Sequence, residues 1–206
     1  MTEMMIDSAP VQEALVDPEI RQRVSVYRLL ASLLRDVPSP ELLRQIAALE
    51  QGDAASPVAD GADEWQLLGL AARSSSPAQV DDEFHQLFIG LGRGELVPYG
   101  SWYQTGYLME QPLSRLRDDL ARLGFERDES VQEPEDHVAA LLEVMSMLIE
   151  SAEPQALQSD FYRRHLGSWL MSFFEDLEQA RSAVFYRAVA RVGRRFVAFE
   201  EQQYPG

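Results

Sequence analysis

The chain contains no cysteine. Disulfides, thiolate metal sites and a cysteine nucleophile are thereby excluded, and the composition fits a reducing compartment. No apolar run approaches the roughly 18 residues needed to cross a bilayer. The first residues, Met1-Thr2-Glu3-Met4-Met5-Ile6-Asp7, are acidic and lack the pattern of a secretory or transit peptide. The expectation is a cytoplasmic protein with no stable membrane association. Positive charge is scarce as well: 18 basic side chains face 34 acidic ones, a net charge of -16. That excess argues against nucleic acid or an anionic membrane surface as partner and favours a cationic one.

Strand signals are also missing, with no convincing period-2 alternation and no internal repeat. What the sequence does contain is helical. The 206 residues, 46% of them hydrophobic, suffice to bury a sizeable core. Asp17-Pro18, Ser39-Pro40 and Ser76-Pro77 each read as a helix start, an acceptor side chain followed by proline at the first helical position. Behind them run the stripes Ile20, Val24, Tyr27, Leu30, Leu34; Leu42, Leu43, Ile46, Leu49; and Val80, Phe84, Leu87, Phe88. A further helix holds Trp65 and Leu68. Another runs from Pro112 to Leu123, with Gly124 as its left-handed terminator. Later helices begin at Pro154 and near Ala183, and Gly167 marks a bend before Trp169, Leu170, Phe173 and Phe174. The reading is all-α: one globular multi-helix domain over residues 1–206 with about nine to ten helices, rather than a four-helix bundle. Residues 1–16 are expected to fray, 51–61 to form a flexible loop and 126–132 to offer a hinge.

Two stretches stand apart. Glu133-Pro134-Glu135-Asp136-His137 has the signals of a helix start, with Glu133 in the cap region, Pro134 at the first position and acids at the positive end of the dipole. Val138, Leu141, Leu142, Met145, Leu148 and Ile149 then form a core face. Asp136 and His137 would sit in the first turn, either as a compact hydrogen-bonding site or as a mere helix cap beside a solvated histidine. The second stretch, from Gly90 to Gly106, is a long loop with one helical turn from Ser101. It is rich in aromatics (Tyr99, Trp102, Tyr103, with Tyr107 adjoining), side chains that either anchor a partner at low entropic cost or fold down on the core as packing.

Catalytic readings fare poorly. A di-iron carboxylate bundle needs paired Glu-x-x-His motifs, and none of His85, His137 or His165 supplies one. The glycines at 90, 92 and 94 lack the Gly-Lys-Ser/Thr of a phosphate loop and the preceding strand of a dinucleotide fingerprint. Ser101 lacks a nucleophile elbow, and the neighbours Asp136 and His137 would project about 100° apart around a helix.

Phe84-x-x-Leu87-Phe88-x-Gly90, then Glu95-x-x-Pro98-Tyr99-x-Ser101-x-Tyr103, then Glu133-Pro134-x-Asp136-His137, together resemble the TorD/DmsD family of redox-enzyme maturation chaperones. The resemblance is specific between about Phe84 and Met147 and extends in outline to Arg23, Tyr27, Leu30 and Leu34 and to the aromatic stretch Phe161 to Phe174. It implies a cytoplasmic, non-catalytic, all-helical chaperone without a cofactor. Its implied partners are the twin-arginine signal peptide and the apo-form of a molybdopterin enzyme of the DMSO reductase family, held back from the Tat translocase until the cofactor is inserted. Either a monomer or a domain-swapped dimer fits. Carried over by motif, Pro98, Tyr99, Ser101, Asp136 and His137 would line the peptide site, Phe84, Leu87 and Phe88 would form its apolar wall, and Tyr103 would support the loop. Asp136 and nearby acids would meet the arginines. A carboxylate–histidine metalloenzyme and a generic acidic interaction module are the alternatives.

Overall fold

In a computed structural model, residues 17–49, 62–90, 94–126 and 133–204 are described. The expected frayed terminus, the loop 51–61 and all but Glu126 of the candidate hinge lie outside them. Helices α1 (Pro18–Arg35), α2 (Pro40–Ala47), α3 (Ala62–Ser74) and α4 (Pro77–Phe84) come first. The last of these continues as a single π turn, His85–Ile89. Then follow α5 (Gly100–Thr105), α6 (Gln111–Arg122), α7 (Val138–Glu150), α8 (Gln155–His165), α9 (Leu170–Gln179) and α10 (Phe185–Gln203). Among the described residues there is no β-ladder, only one isolated bridge. None of these helices is long and apolar enough to cross a membrane.

The local start signals are realised as hydrogen bonds. Asp17 accepts from Glu19 N at 3.0 Å and Ser39 from Leu42 N at 3.1 Å. Ser76 and Gln79 form a reciprocal capping box. Gly124 takes the expected left-handed conformation, φ +78°, just past α6. The Glu133 segment differs. Pro134 does not begin a helix; it opens a turn closed by His137 N donating to Pro134 O at 3.1 Å, and α7 starts only at Val138. Asp136 and His137 therefore precede the helix, in backbone whose hydrogen bonds run to another segment.

One contiguous core joins the helices. α1 packs along α7, α9 along α10, and α3 against both α2 and α10. Two buried carboxylates organise it. Glu200 of α10 accepts from Arg23 Nε and Nη2 and from Tyr27 Oη, each at 2.8 Å, tying α10 to α1. Glu83 of α4 accepts from the backbone of Val184, Phe185 and Tyr186 at 2.7 to 3.0 Å, so it caps α10 from a distant part of the chain. Glu95, a motif residue, does similar work one turn earlier, accepting from Arg181 N at 2.8 Å and Ser182 N at 3.1 Å.

Candidate functional site

The Pro98–Ser101 and Glu133–His137 segments cap each other's helices. Tyr99 and His137 form the one antiparallel bridge. Val138, the first residue of α7, donates its N–H to Pro98 O at 2.8 Å, and Gly100, the first of α5, donates to Asp136 O at 2.9 Å. Side chains complete the exchange. Asp136 Oδ2 accepts from Ser101 N at 2.8 Å, and His137 Nδ1 accepts from Ala139 N at 3.2 Å. Helix N-termini leave their first N–H groups without intrahelical partners; here the first two of each start, Gly100 and Ser101 of α5 and Val138 and Ala139 of α7, find partners in the other segment or in the cap. Space is tight. A Cβ at Gly100 would lie 3.3 Å from Trp169 Nε1, so only glycine lets α5 approach that ring without displacement. Tyr103 stacks on the same indole, with centroids 5.4 Å apart, and donates to Asp176 at 3.0 Å.

This geometry fixes protonation. Burial, seconded by the charge of Arg35, lowers the His137 pKa to about 4. The ring is neutral at pH 7, and an accepting Nδ1 assigns its proton to Nε2. Tyr99 meets His137 edge to face at 5.1 Å and donates its hydroxyl to Glu133. Partial burial raises the Glu133 pKa against the opposing field of Arg35.

Beside His137 opens a groove of about 530 Å³ between α6, α7 and residues 133–135. Its apolar lining comes from Leu120 and Phe125 on one side and Ala140, Val144 and Met147 on the other. Its rim carries Glu126, Glu133, Glu135 and Glu143 against two cations, Arg35 and Arg117. Glu143 pairs with Arg35 at 2.5 Å and Glu135 with Arg117 at 2.9 Å, in both cases with the arginine about half exposed.

The structure brings together Pro98, Tyr99, Ser101, Asp136 and His137, as the motifs imply, but gives them different tasks. Asp136 is 3% exposed and Ser101 fully buried. The Asp136 carboxylate is turned from solvent, with Oδ2 on the α5 N-terminus and Oδ1 buried without a hydrogen-bond partner. Among the rim carboxylates, Glu143 is 43% exposed and Glu135 15%, each paired with its arginine. Phe84 and Leu87 are core residues, 5% and 0% exposed, and Phe88 packs on Phe84 and Tyr186 at 5.1 and 5.4 Å. They support the chain leading to the site, while the groove's apolar wall comes from α6 and α7. Tyr103 ties the loop to Trp169 and to Asp176 of α9. Sequence reading missed Val144 and Met147. The signal was available: α7 is apolar on nearly every face, more than one packed side requires.

The residues of the catalytic alternatives lie as follows among the described residues. Ser101 Oγ is buried without a hydrogen-bond partner, and His137 Nδ1 is occupied by Ala139. His165 bonds Asp119 at 2.9 Å and His85 bonds Asp81 O at 2.9 Å. Among the described residues no group of three His, Cys, Asp or Glu side chains could hold a metal ion.

An all-helical chain of this layout has the fold of a redox-enzyme maturation protein. A crystal structure assigned to that role from Archaeoglobus fulgidus superposes with a TM-score of 0.58, at 20% identity, over 86% of this chain and 94% of that one. The family described as nitrate reductase delta subunit matches residues 54–175. The chaperone protein TorD of Vibrio parahaemolyticus is 28% identical over 192 residues, covering 83% of this chain and 89% of its own. The TorD of Vibrio cholerae is 32% identical over 143 residues, 64% of each chain. The chain belongs to the TorD-like family of redox-enzyme maturation chaperones.

Proposed function

We infer that the protein is a non-catalytic cytoplasmic chaperone that holds the twin-arginine signal peptide of a molybdopterin enzyme in the α6–α7 groove, delaying export until the apo-enzyme has received its cofactor. The observation that carries this reading is the pairing of an apolar floor with a carboxylate rim in one cleft. A signal peptide of this class has the complementary halves, an apolar run and a basic segment before it. The groove has room for a few apolar side chains and not for a whole helix, so the reading places the start of the apolar run on Val144 and Met147. The two arginines then lie among Glu133, Glu135 and Glu143. Guanidinium forks suit carboxylates better than ammonium groups do, so twin lysines should bind more weakly.

The test is calorimetric titration with signal peptides of molybdoenzymes encoded beside the gene, each with a twin-lysine control. Micromolar or tighter binding that depends on the arginines is expected, and Val144→Glu should weaken it by about tenfold or more by placing a charge on the floor. Peptides that bind Val144→Glu and wild type equally would place the site elsewhere.

A further inference from the structure

The chain contains no lysine; all 18 of its basic residues are arginine. Two of them, Arg35 from the last turn of α1 and Arg117 from α6, line the groove. Each engages a rim glutamate as a ligand's arginine would. Arg35 Nη2 lies 2.5 Å from Glu143 Oε2. Arg117 sets Nε at 3.0 Å and Nη2 at 2.9 Å from one oxygen of Glu135.

These pairs are more open to water than the Arg23–Glu200 pair. There the side chains are 11% and 1% exposed and Tyr27 and Tyr204 complete the network. In the groove both arginine side chains are about half exposed, at 45% and 50%; of their partners Glu143 is 43% exposed and Glu135 15%. A pair as open to water as Arg35–Glu143 contributes little by itself, so a second guanidinium can replace the first at small cost, and Arg117 leaves Glu135 from its exposed side at a somewhat larger one. Arg35 also stands close to the centre of the site. Burial is the main influence on the ionisation of Glu133 and His137, and the charge of Arg35 is the next for both.

We propose that Arg35 and Arg117 are resident competitors for the groove's carboxylates, which an incoming cationic peptide must displace, so that they set the affinity threshold for a client. The proposal rests on the groove reading given above and deepens it. Its consequence runs against intuition for a binding site, since removing a side chain that lines the groove should improve binding.

Arg35→Gln and Arg117→Gln keep much of the side chain and remove the charge. Each should tighten binding of a twin-arginine peptide by about two- to fivefold at low salt, the range of an exposed ion pair. The gain should shrink as salt screens the rim. Glu143→Gln should weaken binding to a similar degree, and thermal melts establish that each variant is folded. The control is the same peptide with every basic residue replaced by glutamine, whose binding should not respond to either substitution. Unchanged or weaker binding of the cationic peptide by both folded arginine variants overturns the proposal. So does equal tightening with the uncharged peptide, which would mean that a bulky side chain had been cleared and no charge exchanged. If no peptide binds wild type or the variants, the groove reading fails and takes the proposal with it. Binding by wild type without a gain in the variants removes the proposal alone.

Discussion

Replacing Asp136 by alanine removes the acceptor for Ser101 N–H, at a position 3% exposed and opposite a serine with no exposed surface. Water has little room to substitute, so the orphaned donor costs about 1–3 kcal/mol, and the loss of an N-terminal cap is typically worth about 0.5–2 kcal/mol. The two figures describe the same event and are not summed. Asp136 O still accepts from Gly100 N at 2.9 Å, so the helix start is weakened and not abolished. We expect a loss of about 2 kcal/mol, read as a lower urea midpoint at unchanged slope. In a protein of this size that corresponds to about 4–8 °C in melting temperature. Asp136→Asn keeps one acceptor oxygen and should fall between alanine and wild type. Peptide binding by Asp136→Ala should decline through misplacement of Tyr99 and His137, with little dependence on salt, whereas Glu133→Gln should act through charge and fade as salt rises. An alanine variant as stable as wild type would refute the cap. If it also lost binding in a salt-dependent way, the carboxylate would be meeting the ligand directly.

Gly100→Ala should destabilise by about 1–3 kcal/mol through overpacking, because the indole it meets is fixed by a 2.7 Å bond from Trp169 Nε1 to His165 O and by the stack with Tyr103; near-ultraviolet circular dichroism and urea titration would register it. His137 titrates near 6.5 when unfolded and at about 4 when folded, held down by burial and then by Arg35. Its contribution is therefore complete above pH 6.5 and disappears as pH falls towards 4, by up to about 3 kcal/mol. His137→Asn, which keeps a capping acceptor without titrating, should flatten stability measured across that window; an unchanged slope would refute the assignment. Arg23→Met leaves Glu200 charged and 1% exposed, a loss of about 3–5 kcal/mol, and adding Glu200→Met should recover most of it in a double-mutant cycle.

Asp17, Ser39 and Ser76 were legible as caps because each bonds an N–H within three residues, a distance that sequence displays directly. Pro134 carried equally good signals and still starts no helix. The Asp136 carboxylate next to it is claimed by Ser101, 35 residues away, and no local pattern reports that. The same limit applies to Phe84, Leu87 and Phe88. Their spacing identifies a stripe, but whether a stripe faces ligand or core depends on what lies against it, and Tyr186 of α10 is nearly a hundred residues on. The groove was hidden for a related reason: Leu120 and Val144 come from different helices, and the cleft exists only in their approach.

The division of labour within the site has a consequence for specificity. Pro98 contributes a backbone carbonyl, Ser101 a backbone N–H and Asp136 a cap, and the side chains of Ser101 and Asp136 are buried. These contacts belong to the junction of α5 and α7, so substitutions there should act first on stability. Val144, Met147 and the rim glutamates carry no such obligation, since no α5 or α7 start depends on their side chains. Met147 in particular is 37% exposed, so its substitution changes the groove's shape without opening a core cavity. Exchanging Met147 for Ala should therefore leave stability within about 0.5 kcal/mol while altering the ranking of signal peptides that differ in their apolar run. A ranking unaffected by Met147→Ala and by Val144→Ala, in a protein that binds its peptides, would mean that the apolar segment docks elsewhere. The motif junction would then be a structural landmark with the recognition surface on another face.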